Sequence, residues 1–560
     1  MQPVSMDETR QNSWRRQATT ALGSTGLALA LFCGHAAIAG NIDVGNDKVR
    51  MYFDTTLKYS GAIRVGDQKD SVADMSLGPQ MNTNDGDLNF DRGLISNRID
   101  ALLEFGINYD GKYGLRLSGA GWYDTVYNQG NDNPGAFVNS ASAAYNDFTD
   151  ATRNLHGRDM ELLDAFVYGN FTPGDMRLNL KVGRFTQLYG ESLFFGSNGV
   201  AGAQTSLDLV KALSVPNSQF KEIMRPTGQI SAQLQVTPDF SIGVYYQGEW
   251  RKHRLPGAGS YFSFADFVDE GGETLILGPG AVAHRGEDMD GRDSGQGGIQ
   301  LKYAYDDYEF GFYAAQFHDK APQFYVRPGV NATGPYLGDY MQVFHEDIRV
   351  FGASVSTLIG DTNVAAEVSV RDNMSLVAPG NAVVLPGNTT ADNNDNAAYP
   401  TGRTGHLNIS AISVLEGNDM WDGATFLGEF AANGVLNYDK NKAMLDPLAT
   451  DYAGAFQFLF TPEYFQVMPG VDLQVPIGFS YGLFGRSAVN GVLFPSKNGG
   501  NISVGLKFDV QRTWQASLGY THYFGPSGSI VRYGTAVPEL SYKNFHGDRD
   551  FISFSVQTTF

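Results

Sequence analysis

The chain has 560 residues, a formal net charge of −20, and 60 acidic against 40 basic side chains. This acidic excess disfavours nucleic acid as a partner, because phosphate binding requires clustered lysine and arginine. Glycine (67 residues), tyrosine (28) and phenylalanine (37) are abundant, whereas charged residues make up only 18%. That balance favours one large all-β structure over several soluble domains.

The first 39 residues differ in composition from the rest of the chain. Three arginines precede a largely apolar run over 21–33, and Ala37-Ile38-Ala39 provides a small-x-small cleavage site. The pattern predicts a secretory signal peptide over 1–39 that is cleaved on export. The single cysteine, Cys33, lies inside it. We therefore expect no disulfide and no cysteine-based metal site in residues 40–560, and no cofactor.

Alternation of apolar and polar residues begins at residue 49. Over 49–65 the odd positions are mainly apolar and the even positions carry most of the charge. The same parity runs through 99–109, where an Asp110-Gly111 turn leads into the next strand. Further alternating segments cover 230–236, 240–250, 299–305, 452–460, 473–481, 502–510 and 514–524. We count about 18 strands, and no run after residue 39 reaches the ~18–20 apolar residues of a membrane helix.

Short and long connections alternate between these segments. Short ones fall near 110–111, 173–174, 237–239, 306–307, 360–361, 461–462 and 511–512, and long ones near 66–94, 125–158, 186–227, 251–295, 318–345, 372–405 and 525–549. Outer-membrane barrels have short periplasmic turns and long external loops, whereas β-sandwiches do not sort loop length by end. The sequence therefore predicts an antiparallel transmembrane β-barrel over 40–560, located in a Gram-negative outer membrane.

The long connection at 186–227 is the best candidate for a lumen constriction. Its stretch SLDLVKALSVP has helical spacing of apolar residues, and charged residues flank it. We expect residues 188–225 to fold inward, as lumen-filling segments of other barrels do, although an ordinary external loop with a short helix is the alternative. The candidate constriction residues are Arg184, Tyr189, Glu191, Phe194, Phe195, Asp208, Glu222 and Arg225.

These candidates support two interpretations of the solute. Opposite charges across a narrow lumen would orient dipolar solutes and exclude apolar ones. A greasy ligand would instead prefer the patch formed by Phe194 and Phe195.

Two motifs resemble a catalytic site and a calcium site, but the sequence around them does not support either interpretation. GFSYG at 478–482 matches the nucleophile elbow of serine hydrolases, but the flanking alternation makes Ser480 a lumen-facing strand residue. NTNDGDLNFD at 82–91 is rich in oxygen donors, but its spacing does not fit a calcium-binding EF-hand, and solvated turn residues are the simpler interpretation. The histidines form no metal-ligand spacing. We therefore expect no catalytic residue and no metal site, and the protein is not expected to be an enzyme.

Three parts of the chain resemble a large uncharacterised family of Gram-negative outer-membrane proteins, known only as a domain of unknown function. They are FDTTLKYSGAIR (53–64) with NTNDGDLNFDRGLISNR (82–98), GRFTQLYGESLFFG (183–196) with the motifs that follow to 266, and the C-terminal HGDRDFISFSVQTTF. The chain departs from the family pattern at Tyr189, where Trp is usual, and at Ser206, where Pro is usual. The resemblance implies an outer-membrane barrel that handles hydrophobic or lipid-like compounds.

The last strand, FISFSVQTTF, completes these expectations. In a closed barrel it pairs with the first strand and leaves no exposed edge. Resemblance to outer-membrane proteins implies that the barrel assembly machinery reads its aromatic end, with Phe554, Val556 and Phe560 as the signal. Other expected partners are membrane lipid, lipopolysaccharide, a small-molecule solute and a periplasmic carrier.

The predicted function is passage of small hydrophobic or amphipathic molecules across the outer membrane. A general diffusion porin is the first alternative, and an outer-membrane hydrolase or an adhesive or structural barrel are further ones.

Overall fold

The chain forms a closed antiparallel β-barrel, seen in a computed structural model that describes residues 40–560 except 43, 74–80, 136–137, 219, 279, 335, 388 and 533–537. The predicted signal peptide over 1–39 lies outside the described residues. Within them, 18 strands form the barrel wall, each hydrogen-bonded to its neighbours along the chain. The predicted fold class and strand number are confirmed.

The strands of the wall are numbered here in chain order. They are β1 Val49–Arg64, β2 Gly93–Tyr109, β3 Tyr113–Asp124, β4 Arg158–Phe171, β5 Arg177–Phe185, β6 Thr227–Thr237, β7 Phe240–Gln247, β8 Gln296–Tyr305, β9 Tyr308–Phe317, β10 Ile348–Ile359, β11 Thr362–Ser375, β12 Thr401–Leu415, β13 Gly423–Lys440, β14 Tyr452–Met468, β15 Val471–Gln474 with Ile477–Gly485, β16 Gly500–Val510, β17 Trp514–Phe524 and β18 Phe551–Thr559. β15 is interrupted at 475–476, and both of its parts pair with β14 and β16.

The barrel closes between its last and first strands. β18 pairs antiparallel with β1 from Arg64 opposite Phe551 to Thr56 opposite Thr559. Phe560 continues the ladder, since its backbone exchanges two hydrogen bonds with Thr55. A short strand, Gly40–Ile42, extends this line on the same edge of β1. Closure leaves the sheet without an edge that could recruit another chain.

The C-terminal side chains of the predicted assembly signal take different places in β18. Phe554 lies opposite Gly61 and its ring is 5.8 Å from that of Tyr59, while Val556 is exposed on the outer face. Recognition of these residues by the assembly machinery stays a prediction.

The wall has two chemically different faces, as the alternation predicts. Large apolar side chains are exposed on the outside, among them Leu103, Ile230, Phe312 and Val368. The opposite parity places polar side chains in the lumen. An outer apolar belt around a polar interior is the arrangement of a barrel that spans a membrane. Among the described residues, no helix has the length and apolar character needed to cross a membrane.

The links at the two ends of the barrel differ in length. At one end they have two to seven residues, such as the turn at 110–112, where Asp110 and Gly111 have positive φ of 57° and 69°. At the other end they contain the short helices of the described residues. These are Asp70–Ala73, Asp85–Leu88, Asp150–Thr152, Arg153–Gly157, Val200–Ala203, Leu209–Ser214, Phe220–Ile223, Pro379–Asn381, Lys442–Met444 and Gly491–Leu493. In outer-membrane barrels the long links face the outside of the cell, and we call the long-link end of this barrel its external end.

The long links also carry structure that the sequence pattern did not indicate. Strands Thr274–Gly278, Ala281–Arg285, Tyr336–Val343, Gln323–Thr333 and Ala382–Val384 form a separate five-stranded sheet from three different links. Small two-stranded pairings join Ser206–Leu207 to Met224–Arg225 and Val531–Arg532 to Glu539–Leu540. The external loops therefore form a packed cap over the barrel.

One expectation about the loops is wrong. The donors of NTNDGDLNFD were expected to be solvated turn residues, yet Asn84, Asp85 and Asp87 are buried. Links 125–157 and 248–295 close over them, and Asp87 forms ion pairs with two equally buried arginines, Arg64 and Arg549. The long-range contacts that bury this stretch leave no trace in its own composition.

Candidate functional site in the barrel lumen

The link between β5 and β6 folds into the lumen. We call residues 188–225 the inner segment. Its contacts include strand residues on two sides of the lumen, β8 and β11–β13 on one side and β1, β2 and β4 on the other, so it crosses the barrel interior.

The first anchor is Glu429, near the middle of β13 and completely buried. One oxygen of its carboxylate accepts hydrogen bonds from the backbone N–H groups of Leu193 (3.2 Å), Phe194 (2.5 Å) and Phe195 (2.8 Å). The other oxygen accepts a hydrogen bond from the Asn408 side chain at 2.7 Å. Bonds to a charged acceptor are stronger than neutral ones, so this carboxylate holds the bend of the inner segment against the wall.

A second pair of anchors comes from β11. The Glu367 carboxylate accepts hydrogen bonds from the backbone N–H groups of Glu191 (2.7 Å) and Val200 (2.6 Å). Four residues further along β11, toward the long links, the Arg371 guanidinium donates to the three carbonyl oxygens of 197–199 at 2.8–3.0 Å. The backbone N–H groups of the inner segment thus donate to carboxylates, and its backbone carbonyl oxygens accept from a guanidinium.

The opposite side of the lumen holds the segment through ion pairs. Lys211 lies 2.8 Å from Glu161 of β4, and Lys221 lies 2.5 Å from Glu104 of β2. Asp208 caps the helix Leu209–Ser214 and also pairs with Arg254 at 2.7 Å. These contacts depend on side chains rather than on the segment's backbone.

The three aromatic candidates from the sequence are fixed within the protein. Tyr189 is buried and its ring lies edge-to-face with Tyr245 at 5.4 Å. Phe195 packs on the wall and its ring is 5.6 Å from that of Phe494, with Phe194 beside it. Tyr189 and Phe195 therefore pack within the protein, and Phe194 is only partly buried beside them.

The charged candidates are spread over several contacts. Arg184 pairs with Glu249 at 2.5 Å, and Glu191 pairs with Lys302 of β8 at 3.0 Å. Glu222 acts electrostatically on Lys58 of β1. Finally, Arg225 donates a hydrogen bond to the Lys252 carbonyl oxygen at 2.6 Å, and Asp208 pairs as described above. The structure brings Glu191 and Glu222 close to charged residues of the wall and pairs Asp208 with Arg254 of the link 248–295, but it does not gather these charges into one site.

An apolar cavity of about 130 Å³ lies on the outer side of the inner segment. Its floor includes Ser197 and Gly202 of the segment. Its walls come from five other long links and from the outer ends of β9 and β11, and they are mainly apolar. The apolar lining residues are Leu255, Phe264, Phe267, Val268, Phe317, Phe324, Met374, Val377, Val489, Val492, Leu493, Ile530, Val531 and Leu540.

Several polar groups converge on the same cavity. Lys320 donates to the carbonyl oxygens of Gly202 and Ala203 at 3.4 and 3.2 Å, and burial lowers the pKa of its ammonium to about 8. The Nε atom of Arg371 and the amide oxygen of Gln323 are buried and have no hydrogen-bond partner among the described residues. Apolar walls with a few fixed polar groups are characteristic of small-molecule sites.

A second cavity, of about 280 Å³, lies near the short-turn end of the barrel. Its lining combines the aromatic rings of Tyr52, Phe166 and Tyr168 with the cationic Arg116 and Lys181. All five side chains belong to β1, β3, β4 or β5. The inner segment therefore lies between an apolar outer cavity and a more polar, aromatic inner one.

The alternative chemistry considered from the sequence has no matching geometry. Ser480 lies within β15, where it pairs with Gln457 and Asn501 in the ladder and not on a strand-to-helix turn. Within the described part of the chain, no group of three or more His, Cys, Asp or Glu is placed to hold a metal ion.

Four functional residues were missed from the sequence: Glu367, Arg371, Glu429 and Lys320. The first three occupy lumen-facing positions in strands. A usable signal was present in FLGEFAANG, because Glu429 stands alone among small and apolar residues with no basic residue nearby. An isolated acid at a lumen-facing position needs donors from elsewhere in the fold.

Comparison with known proteins gives one family. The model for a protein of unknown function, DUF1302, matches residues 18–560. No curated protein matches the chain. Among solved structures, Acinetobacter baumannii OccAB4 is 10% identical with a TM-score of 0.41, covering 91% of this chain and 97% of that chain. Pseudomonas aeruginosa OpdK, solved with vanillate, is 9% identical with a TM-score of 0.37, covering 91% and 98%.

Proposed function

The chain belongs to the DUF1302 family, and from its geometry we propose that it is an outer-membrane channel for small hydrophobic or amphipathic molecules. The observation that carries this proposal is the apolar cavity of about 130 Å³ on the outer side of the inner segment. A solute entering from outside meets that cavity before it meets the segment. No catalytic step is part of the proposal.

The balance of the cavity walls supports an apolar or amphipathic solute. Burying apolar surface contributes roughly 25 cal/mol per Å², so a small apolar molecule gains free energy by leaving water for these walls. The unpartnered polar atoms of Arg371 and Gln323 are suited to a solute's polar end. A small ion would gain nothing from the apolar walls and would lose hydration.

The anchoring of the inner segment favours a gated channel over a general diffusion pore. Five backbone N–H groups of the segment are bonded to the buried carboxylates of Glu367 and Glu429. A segment held by these hydrogen bonds stays in the lumen, so a solute can pass only when the segment moves.

Conductance in a planar bilayer tests this proposal. We expect the unmodified protein to carry little steady ion current, and a variant with residues 188–225 replaced by a short Gly-Ser linker to carry a large one. Replacing the exposed residues 416–420 of a short link in the same way is the control and should change nothing. Equal steady current from the unmodified protein and the 188–225 variant would identify a general diffusion pore instead.

Ligand binding tests the nature of the solute. The fluorescent apolar amine N-phenyl-1-naphthylamine should bind the purified protein, and laurate should displace it while glucose should not. Leu493→Asp places a charge in the cavity wall and should abolish binding. Leu277→Asp makes the same change at an exposed position of the strand Thr274–Gly278 and should leave binding intact. Equal binding by both variants would exclude this cavity as the site.

A further inference from the structure

Two buried carboxylates in the external cap form no ion pair with a described residue. Asp85 and Asp266 are 6% and 1% exposed, and neither forms an ion pair with any described residue. The neighbouring Asp87 is different, because Arg64 and Arg549 both pair with it. Burying an uncompensated carboxylate is costly, so a pair of them side by side requires a physical explanation.

The contacts of these carboxylates leave one oxygen of each unused. Asp266 Oδ2 accepts hydrogen bonds from the backbone N–H groups of Asn84 (2.7 Å) and Asp85 (3.1 Å). The backbone N–H of Asn139 lies 3.5 Å from Asp85 Oδ2. The Oδ1 atoms of both aspartates are buried and have no hydrogen-bond partner among the described residues.

Two neighbouring side-chain amide oxygens are also buried without a hydrogen-bond partner among the described residues. Asn84 and Asn139 are each 1% exposed, and their Oδ1 atoms also have no partner in the described part of the chain. The amide of Asn139 is oriented by its nitrogen, which donates to Asn82 Oδ1 at 2.6 Å and to the Thr274 carbonyl oxygen at 2.8 Å. Four hard oxygen atoms thus belong to residues connected by these hydrogen bonds, and none of the four accepts a hydrogen bond from a described residue.

A small cavity adjoins the two carboxylates. Its volume is about 30 Å³, and Asp85, Asp266, Asn89, Asp147 and Thr149 are among the residues that line it. Asn84 and Asn139 do not line the cavity, but each is adjacent in sequence to a residue that does. A space of this size holds one water-sized particle. Because Asp147 also pairs with Arg153, its charge is already compensated.

We propose that Asp85 and Asp266, with the amide oxygens of Asn84 and Asn139, bind one calcium ion in the external cap. Calcium takes six to eight oxygen ligands, including carboxylates, amide oxygens and water, in flexible geometry. Magnesium requires near-octahedral geometry and gives up its water reluctantly, so this amide-rich set suits it less. The sequence spacing hid the site because its ligands come from three different links.

The ion would join links 65–92, 125–157 and 248–295 at one point. These links form the cap beside the network of Arg64, Asp87 and Arg549. The calcium site does not depend on what passes through the lumen. A failed test of calcium binding would therefore leave the proposed channel function unaffected.

Calcium binding is measured on the full-length protein, purified in detergent and treated with a chelator. We expect one calcium ion per chain by titration calorimetry, and a rise in the midpoint of heat unfolding with calcium chloride that magnesium chloride does not match. Asp85→Asn and Asp266→Asn each remove one ligand charge and should weaken binding roughly tenfold or more. Asp91→Asn changes an exposed aspartate of the same link and should bind calcium normally.

Two results would overturn the proposal. The first is no calcium binding and no effect of chelation on the unmodified protein, a measurement that does not depend on whether the variants fold. The second is calcium binding that survives in both Asp85→Asn and Asp266→Asn. Without calcium binding, a gain of heat stability in these two variants would show that the carboxylates share a proton instead.

Discussion

Replacing Glu429 by glutamine tests how the inner segment is held. The carboxylate accepts three backbone hydrogen bonds from 193–195 through one oxygen and one from Asn408 through the other. Glutamine keeps the shape of the side chain but is neutral. Its amide nitrogen cannot accept a hydrogen bond, so it must face either the backbone N–H groups or the Asn408 donor.

The expected loss follows from the number of bonds. A hydrogen bond to a charged group contributes about 1.5–3 kcal/mol and a neutral one about 0.5–1.5 kcal/mol, so neutralising the acceptor costs about 1 kcal/mol per bond. Three such bonds give about 3 kcal/mol. That amount raises the population with the segment displaced by roughly a hundredfold, since 1.4 kcal/mol corresponds to a factor of ten.

Single-channel recording in a planar bilayer measures this population as open probability. Glu429→Gln should open far more often than the unmodified protein, with the same conductance when open. Glu463→Gln is the matched control, because Glu463 is also on the barrel wall and its side chain bonds to Gln474 rather than to the inner segment. If both variants open as rarely as the unmodified protein, the carboxylate does not hold the segment and the reasoning fails.

Three further changes probe the wall and the cap. Leu103→Arg places a charge on the lipid face of β2 and should lower the yield of heat-modifiable folded barrel on unboiled gels, at a cost of about 2–4 kcal/mol. Arg549→Met leaves Asp87 short of a buried partner and should lower the heat-unfolding midpoint through a loss of about 3 kcal/mol, whereas the exposed Arg532→Met should not. Raising the pH from 7 to 10 should slow heat unfolding more in the unmodified protein than in Lys320→Met. Burial lowers the pKa of Lys320 in the folded protein to about 8, against 10.5 for an unperturbed lysine, so over this range the unfolded chain binds more protons and folding gains stability.

The barrel wall was predictable because the pattern that specifies each strand lies within the sequence of that strand. A strand alternates with a period of two, so each segment reports its own lipid-facing and lumen-facing residues without reference to the rest of the chain. The Asp110-Gly111 turn works in the same way, since positive φ at both positions is a property of those two residues. The number of strands followed from counting these segments, and closure followed because the last strand has to pair with the first.

The contents of the lumen and cap were not predictable, because they depend on contacts between distant residues. Phe194 and Phe195 were interpreted as a surface for a solute, and the structure places Phe195 against the wall beside Phe494. The buried aspartates at 85 and 87 looked like solvated turn residues, because the links that cover them lie far along the chain. No pattern within 82–91 distinguishes an exposed turn from one covered by other loops.

The two attachments of the inner segment differ in kind, and the difference indicates how it moves. On the β11–β13 side, buried carboxylates hold backbone N–H groups, and displacement would leave those groups without partners. On the opposite side, Lys221 and Glu104 form an ion pair in which the lysine side chain is 41% exposed. Exposed pairs of this kind contribute only about 0–1 kcal/mol and are weakened by salt. On that side the Lys221–Glu104 pair is therefore the contact that yields first, whereas Lys211 is held against Glu161 by side chains that are only 5% and 13% exposed.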